Sequence, residues 1–193
     1  KTETPAYITS NLLTAVLSPD YIDVDDNGPS VNDVGNYVKF NYCNAGIYTW
    51  RTPDYGSKST FNKAFLSDPA DNKASYVQGT KEVWYIHSIE SKTEVAEFFY
   101  DTDRQDARDI NGKQLYRLNT IKVYSKNELV LAGADATPIR VIQFTQDYEL
   151  CPNTTNSTAS PSHGKLTLKK VGMYSGKSMR ELQSPYQFTY GAM

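Results

Sequence analysis

The residues with the clearest capacity for chemistry are the oxygen donors of Asp23-Val24-Asp25-Asp26-Asn27-Gly28. Their order matches the first half of a calcium loop, in which alternate side-chain oxygens turn inward and a glycine permits the sharp bend. The glutamate that closes such a loop at its twelfth position is replaced by Val34, with Asp33 one place earlier. Asp23, Asp25, Asn27 and Asp33 are therefore the candidate ligands, and calcium is the cofactor they suggest. No flanking helical pattern points to an EF-hand. The competing reading is an acidic turn whose Asp and Asn side chains serve their own backbone N–H groups.

Other reactive groups are sparse. Cys43 and Cys151 are the only cysteines, and no CxxC or Cys/His spacing supports zinc or redox chemistry. They are either one disulfide closing a long loop or two separate thiols. His87 lies in a strand pattern and His163 in a Ser-rich loop, neither beside a nucleophile and an acid. Glu90, Glu94 and Glu97 crowd one hairpin; a pair facing a common cleft would suit glycoside hydrolysis, whereas Lys92 nearby favours a charged outer face. Asp101, Asp103, Asp106 and Asp109 are interrupted by Arg104 and Arg108, which predicts a solvated, self-paired loop. Nucleophile elbows, HExxH and phosphate-binding loops are missing, so the expectation is no enzyme. Tyr48, Trp50, Tyr55 and Trp84 could stack on sugar rings as an adhesin does, or pack strands.

The elements that would position these groups are strands. The stretch Trp84–Tyr100 has counterparts at Leu115–Tyr148 and Gly164–Gly191, and each predicts a β-hairpin. The outgoing strand carries an aliphatic pair three apart (Ile86 and Ile89, Leu118 and Ile121, Leu168 and Val171); the returning strand carries a period-two stripe (Phe98 and Tyr100, Ile142 and Phe144, Tyr186, Phe188 and Tyr190). The change of face between Ile86 and Ile89 calls for a bulge or for cover on both sides. Units that cannot bury their own face must stack on their neighbours. The fold class is thus all-β, with stacked antiparallel hairpins forming an extended strip or partly wound sheet joined by long irregular loops.

Ahead of the repeats, Tyr7–Leu17 and Tyr37–Tyr42 predict strands, with Ile47–Arg51 returning on the latter across Cys43-Asn44-Ala45-Gly46. Residues 52–79 predict a long loop with one helical turn near Phe61–Leu66, Asn111-Gly112 a tight turn, 151–164 a mobile loop, and Leu129–Gly133 a short extra strand. This divides the chain into 1–79, a hairpin with long polar loops, and 80–193, three hairpins at 82–100, 115–148 and 164–191.

At 193 residues, 39% hydrophobic and 12% aromatic, the chain has the means to bury a core. A net charge of −2 with interspersed signs gives no basic stripe for nucleic acid, and no apolar run is long enough to insert as a membrane helix. The start without Met and the stop at Phe188-Thr189-Tyr190-Gly191-Ala192-Met193 suggest a segment of a longer polypeptide, with strand edges open to a protein partner or to self-association.

The stretches GNYVKFNY, KEVWYIHSIESKTEVAEFFYDTDRQDARD, YRLNTIKVYS and GKLTLKKVGMYS…PYQFTYG resemble the large Rhs or YD-repeat-related secreted surface proteins of Bacteroidetes-type bacteria. Tyr100-Asp101 is the one YD dipeptide in the expected place. The resemblance implies a β-strip segment of a secreted or cell-surface parent, often placed ahead of a toxin-like effector, with the rest of that parent as its partner.

Overall fold

A computed structural model describes residues 2–52, 76–152 and 164–191. It is an open antiparallel sheet whose eight strands follow chain order: β1 Ala15–Leu17, β2 Tyr37–Thr52, β3 Val77–Glu90, β4 Glu94–Asp101, β5 Arg117–Ser125, β6 Arg140–Leu150, β7 Lys165–Ser175 and β8 Tyr186–Gln187. The all-β strip expected from the sequence is the observed fold.

The ladders are unequal. β2 and β3 stay paired from Lys39↔Glu90 to Thr52↔Val77, β4 and β5 from Glu94↔Ser125 to Asp101↔Arg117, and β6 and β7 from Arg140↔Ser175 to Leu150↔Lys165. By contrast β3 meets β4 only over Ser88–Glu90, and β5 meets β6 only over Thr120–Val123. The predicted hairpins therefore exist but are the short junctions; the long ribbons are β2–β3, β4–β5 and β6–β7. Residue 79, the expected division, lies inside β3.

Each ribbon contains a bulge at the same place. Ile86 and Ser88 pair with Tyr42 and Asn41, Leu118 and Thr120 with Tyr100 and Phe99, Leu168 and Lys170 with Gln146 and Thr145. His87, Asn119 and Lys169 are left as the extra residues. One extra residue returns side chains three apart to a common face. That is why Ile86 and Ile89, Leu118 and Ile121, and Leu168 and Val171 share a face despite their odd spacing.

Beyond each bulge the neighbouring ribbons separate, and a side chain bridges the gap. The Tyr100 hydroxyl donates to the Ile86 carbonyl at 2.9 Å, Gln146 Nε2 to the Leu118 carbonyl at 3.1 Å, and the Tyr190 hydroxyl to the Leu168 carbonyl at 2.7 Å. The Tyr42 hydroxyl makes the same bond to Leu13 at 2.9 Å. The β1–β2 pair is thus a fourth copy of the unit, one that the sequence pattern had not revealed.

The two faces differ. Tyr37, Tyr48, Val95, Tyr124 and Val141 are each 8% exposed or less, and the register places all five on one face. Thr102–Tyr116 crosses that face as a strap. The Tyr48 hydroxyl donates to Arg108 O at 3.0 Å, Ile110 N–H to Thr49 O at 3.1 Å, and Gln105 N–H to the Tyr148 hydroxyl at 2.9 Å. The opposite face carries the aliphatic and aromatic rows, at intermediate exposure inside the sheet and exposed at Tyr186, Phe188 and Tyr190.

Several local expectations are corrected. β2 does not turn at Cys43–Gly46: Gly46, at φ +84°, sits in a bulge and the strand continues along β3. Residues 7–14 are irregular and only Ala15–Leu17 forms a strand. Leu129–Gly133 is not a strand; helix α1 covers Lys126–Ala132 and a 3-10 turn follows. β5 is already paired on both edges with β4 and β6, so a strand there would have no ladder partner, and helical bonds satisfy its backbone locally. Cys43 and Cys151 are not bridged. They lie on β2 and just after β6, about 19 Å apart across the strand spacing, far beyond disulfide reach. The helical turn at Phe61–Leu66, Tyr55 and residues 153–163 of the 151–164 loop, His163 among them, lie outside the described residues.

Candidate functional site

The acidic loop joins β1 to β2 and is pinched at its neck, where Ile22 and Val34 exchange N–H···O bonds of 3.1 Å in both directions. Asp33, 3% exposed, organises the interior. Its carboxylate accepts from Val24 N–H at 3.0 Å, Ser30 N–H at 2.7 Å and the Tyr21 hydroxyl at 2.8 Å. The Val24 and Ser30 amides hold the Asp33 carboxyl below its usual range against the opposing effect of burial. The same arrangement pushes the Tyr21 hydroxyl up to about 12, through desolvation first and then the bond to Asp33 and the nearby carboxylates.

Asp23 uses one oxygen to accept Gly28 N–H at 2.9 Å, while its Oδ1 is buried without a hydrogen-bond partner. Asp26 and Gly28 adopt the left-handed turn conformation, with φ of +55° and +83°. Asp23, Asp25 and Asp33 each present an oxygen within 4.8 Å of the others. Asn27 is exposed on the same turn. Three hard carboxylates, one of them with an orphaned oxygen, fit calcium or magnesium chemistry better than the Cys and His set typical of structural zinc. Asp33 also serves as a backbone hub, so both readings of this loop find a part in its geometry.

The other candidates are dispersed. Tyr48 is 8% exposed beneath the strap, not an open platform. Trp50 lies against Gly79, where an added Cβ would come within 3.0 Å of the indole. Trp84 is 45% exposed, but it stands five residues from Gly79 on a regular stretch of β3. Alternation therefore places Trp84 and Trp50 on opposite faces, and the two cannot flank one sugar. His87 is an exposed bulge residue. Glu90 is paired with Lys126 Nζ at 2.9 Å and accepts from Asn41, which ties α1 to the sheet. Asp106 and Asp109, expected to be solvated, are 6% and 7% exposed. Arg104 donates to Asp106 through two nitrogens at 2.7 and 3.2 Å, and Asp109 Oδ1 accepts from Asn111 and Lys113 N–H. These carboxylates shape the strap, a role that the Asn111-Gly112 turn signal hinted at and the charge pattern hid. Among the described residues, no helix is long and apolar enough to cross a membrane.

No family model, curated protein or solved structure matches this chain.

Proposed function

We propose that the chain is a non-catalytic, structural β-repeat segment of a large exported protein of the Rhs-like kind, with surface or toxin-delivery function residing in the rest of that polypeptide. The observation that carries this reading is the recurrence of one unit: an aliphatic pair three apart and a Tyr or Gln side chain closing the gap to the preceding ribbon, four times, with a bulge at the same place in all three long ribbons. Repetition of packing and backbone pairing, without recurrence of any reactive constellation among the described residues, is what a scaffold requires. Export, a cell-surface location and the parent polypeptide are carried by the family resemblance alone.

Tyr100→Phe is expected to lower unfolding stability in urea by about 1 kcal/mol, since it leaves the Ile86 carbonyl without its donor. Tyr42→Phe is expected to do the same, and the double variant to give roughly the sum, as nearest-neighbour repeat stability demands. Variants as stable as the parent would remove the basis of the scaffold reading. Loss of glycan binding at unchanged stability would favour the adhesin alternative.

Within this scaffold the Asp23–Asp33 loop is where calcium would stiffen the β1–β2 connection. Added calcium is expected to raise the melting temperature by a few degrees and chelation to reverse the shift, with Asp23→Asn abolishing it. No shift in calorimetry at millimolar calcium would leave the loop as a self-capped acidic turn.

A further inference from the structure

The long ribbons each pair an even strand with the next odd one: β2 with β3, β4 with β5, β6 with β7. Among the described residues β8 has no such odd strand and β1 no such even strand. The three internal junctions share one register. Phe40 opposes Ile89, Phe98 opposes Ile121 and Phe144 opposes Val171; two residues on, Tyr42 opposes Ile86, Tyr100 opposes Leu118 and Gln146 opposes Leu168. The sequence at the two edges repeats both halves of this code, Phe188-Thr189-Tyr190 on one and Leu13-Thr14-Ala15-Val16 on the other.

We infer that the β8 edge of one molecule takes the β1 edge of a second copy as its next odd strand, antiparallel, with Phe188 opposite Val16, Tyr190 opposite Leu13, and Thr14 as the bulge residue. Three observations support this partner. Leu13, Val16, Phe188 and Tyr190 are 55%, 52%, 38% and 43% exposed, whereas their counterparts inside the sheet are all partly covered. Leu12–Leu17 and Tyr186–Tyr190 contain neither a charge nor a proline, the devices by which soluble sheets normally protect an edge. The inner side of the β8 edge already follows the code: Phe188 N–H donates to Lys169 O at 2.9 Å, as Phe40 N–H does to Thr14 O at 2.8 Å. The contact is heterologous, so it builds a chain of copies unless its rotation closes a ring.

The inference rests on the repeat reading of the fold, and the test keeps the two apart. In a background of Cys43→Ser and Cys151→Ser, a Val16→Cys chain is mixed with a Phe188→Cys chain under mild oxidation. A cross-linked heterodimer is expected, several-fold more abundant than with Tyr186→Cys, which the register places opposite Ser18. Circular dichroism reports whether each variant keeps its sheet; if one does not, sedimentation of the unmodified chain decides, with mass rising with concentration as the expected result. Folded variants that give no cross-link, equal yields from both mixtures, or a strictly monomeric unmodified chain overturn the assembly while leaving the scaffold intact. A monomeric cross-link in a Val16→Cys/Phe188→Cys double variant overturns it too, because the edges would then close within one molecule.

Discussion

Replacing Asp106 by alanine is expected to destabilise the fold by about 3 kcal/mol, the range for stripping one partner from a buried ion pair. The Asp106 side chain is 5% exposed and faces Arg104, itself at 29%, so removal of the carboxylate leaves a partly buried guanidinium without its partner. The same carboxyl receives the Leu166 amide of β7. Its loss therefore frees the strap from the ribbon at the far side of the sheet. An exposed pair of this kind would contribute at most about 1 kcal/mol, and a loss below that in urea unfolding would mean the strap only rests on the sheet. Acid supplies an independent check. Burial pushes the Asp106 carboxyl up, but the Arg104 bonds and charge and the Leu166 amide outweigh it, so its value in the folded chain lies below the ordinary 3.8. A depressed carboxylate contributes stability that is complete above its unfolded value and is lost as pH falls through the folded one. The parent chain is thus expected to lose stability as pH drops below about 4, and Asp106→Ala to show a shallower fall over that window.

Tyr48→Ala is expected to cost about 3 kcal/mol, whereas Trp84→Ala should stay within about 1 kcal/mol. Tyr48 is buried beneath the strap and holds it by its hydroxyl, while Trp84 stands on the other face with nearly half its surface in solvent. Thermal unfolding of the two variants separates the roles. Near-equal small effects would return Tyr48 to the list of ligand-facing aromatics, and a binding screen against immobilised glycans would then be the measurement to make.

How far the sequence foretold this architecture depends on the length scale. Period-two stripes and aliphatic pairs three apart are local; they located the hairpins of β3 to β8 and called for either a bulge or cover on both sides between Ile86 and Ile89, of which the structure has the bulge, at His87. The fourth unit escaped because the long acidic loop between β1 and β2 separates Leu13 and Val16 from Phe40 and Tyr42, which no local pattern bridges. The turn assigned to Cys43–Gly46 failed because a left-handed glycine serves a bulge as well as a hairpin, and only the presence of β3 alongside decides between them. The acidic loop was legible as oxygen donors in sequence. That Asp33 is a buried hub was not, since this depends on Val24 and Ser30 turning their amides inward. The strap was hidden for the opposite reason: its self-pairing was legible in the alternating charges, but a charge-rich stretch reads as solvated until Asp106 and Asp109 are seen buried with their own arginine and amide partners.

The register of the junctions fixes one further property. Phe40 lies opposite Ile89, but the next strand across from Ile89 presents Ala96, two residues before the equivalent Phe98; from Ile121 the step leads to Ile142 before Phe144, and from Val171 to Tyr186 before Phe188. Every pair of strands thus slips by two residues, a shear equal to the number of strands. With ordinary strand spacing and rise, that slip tilts the line through equivalent residues by about 35° from the perpendicular to the strands. Each added unit therefore moves the edge two residues along the strands as well as across them, so a longer run of these repeats would advance obliquely to its own strands.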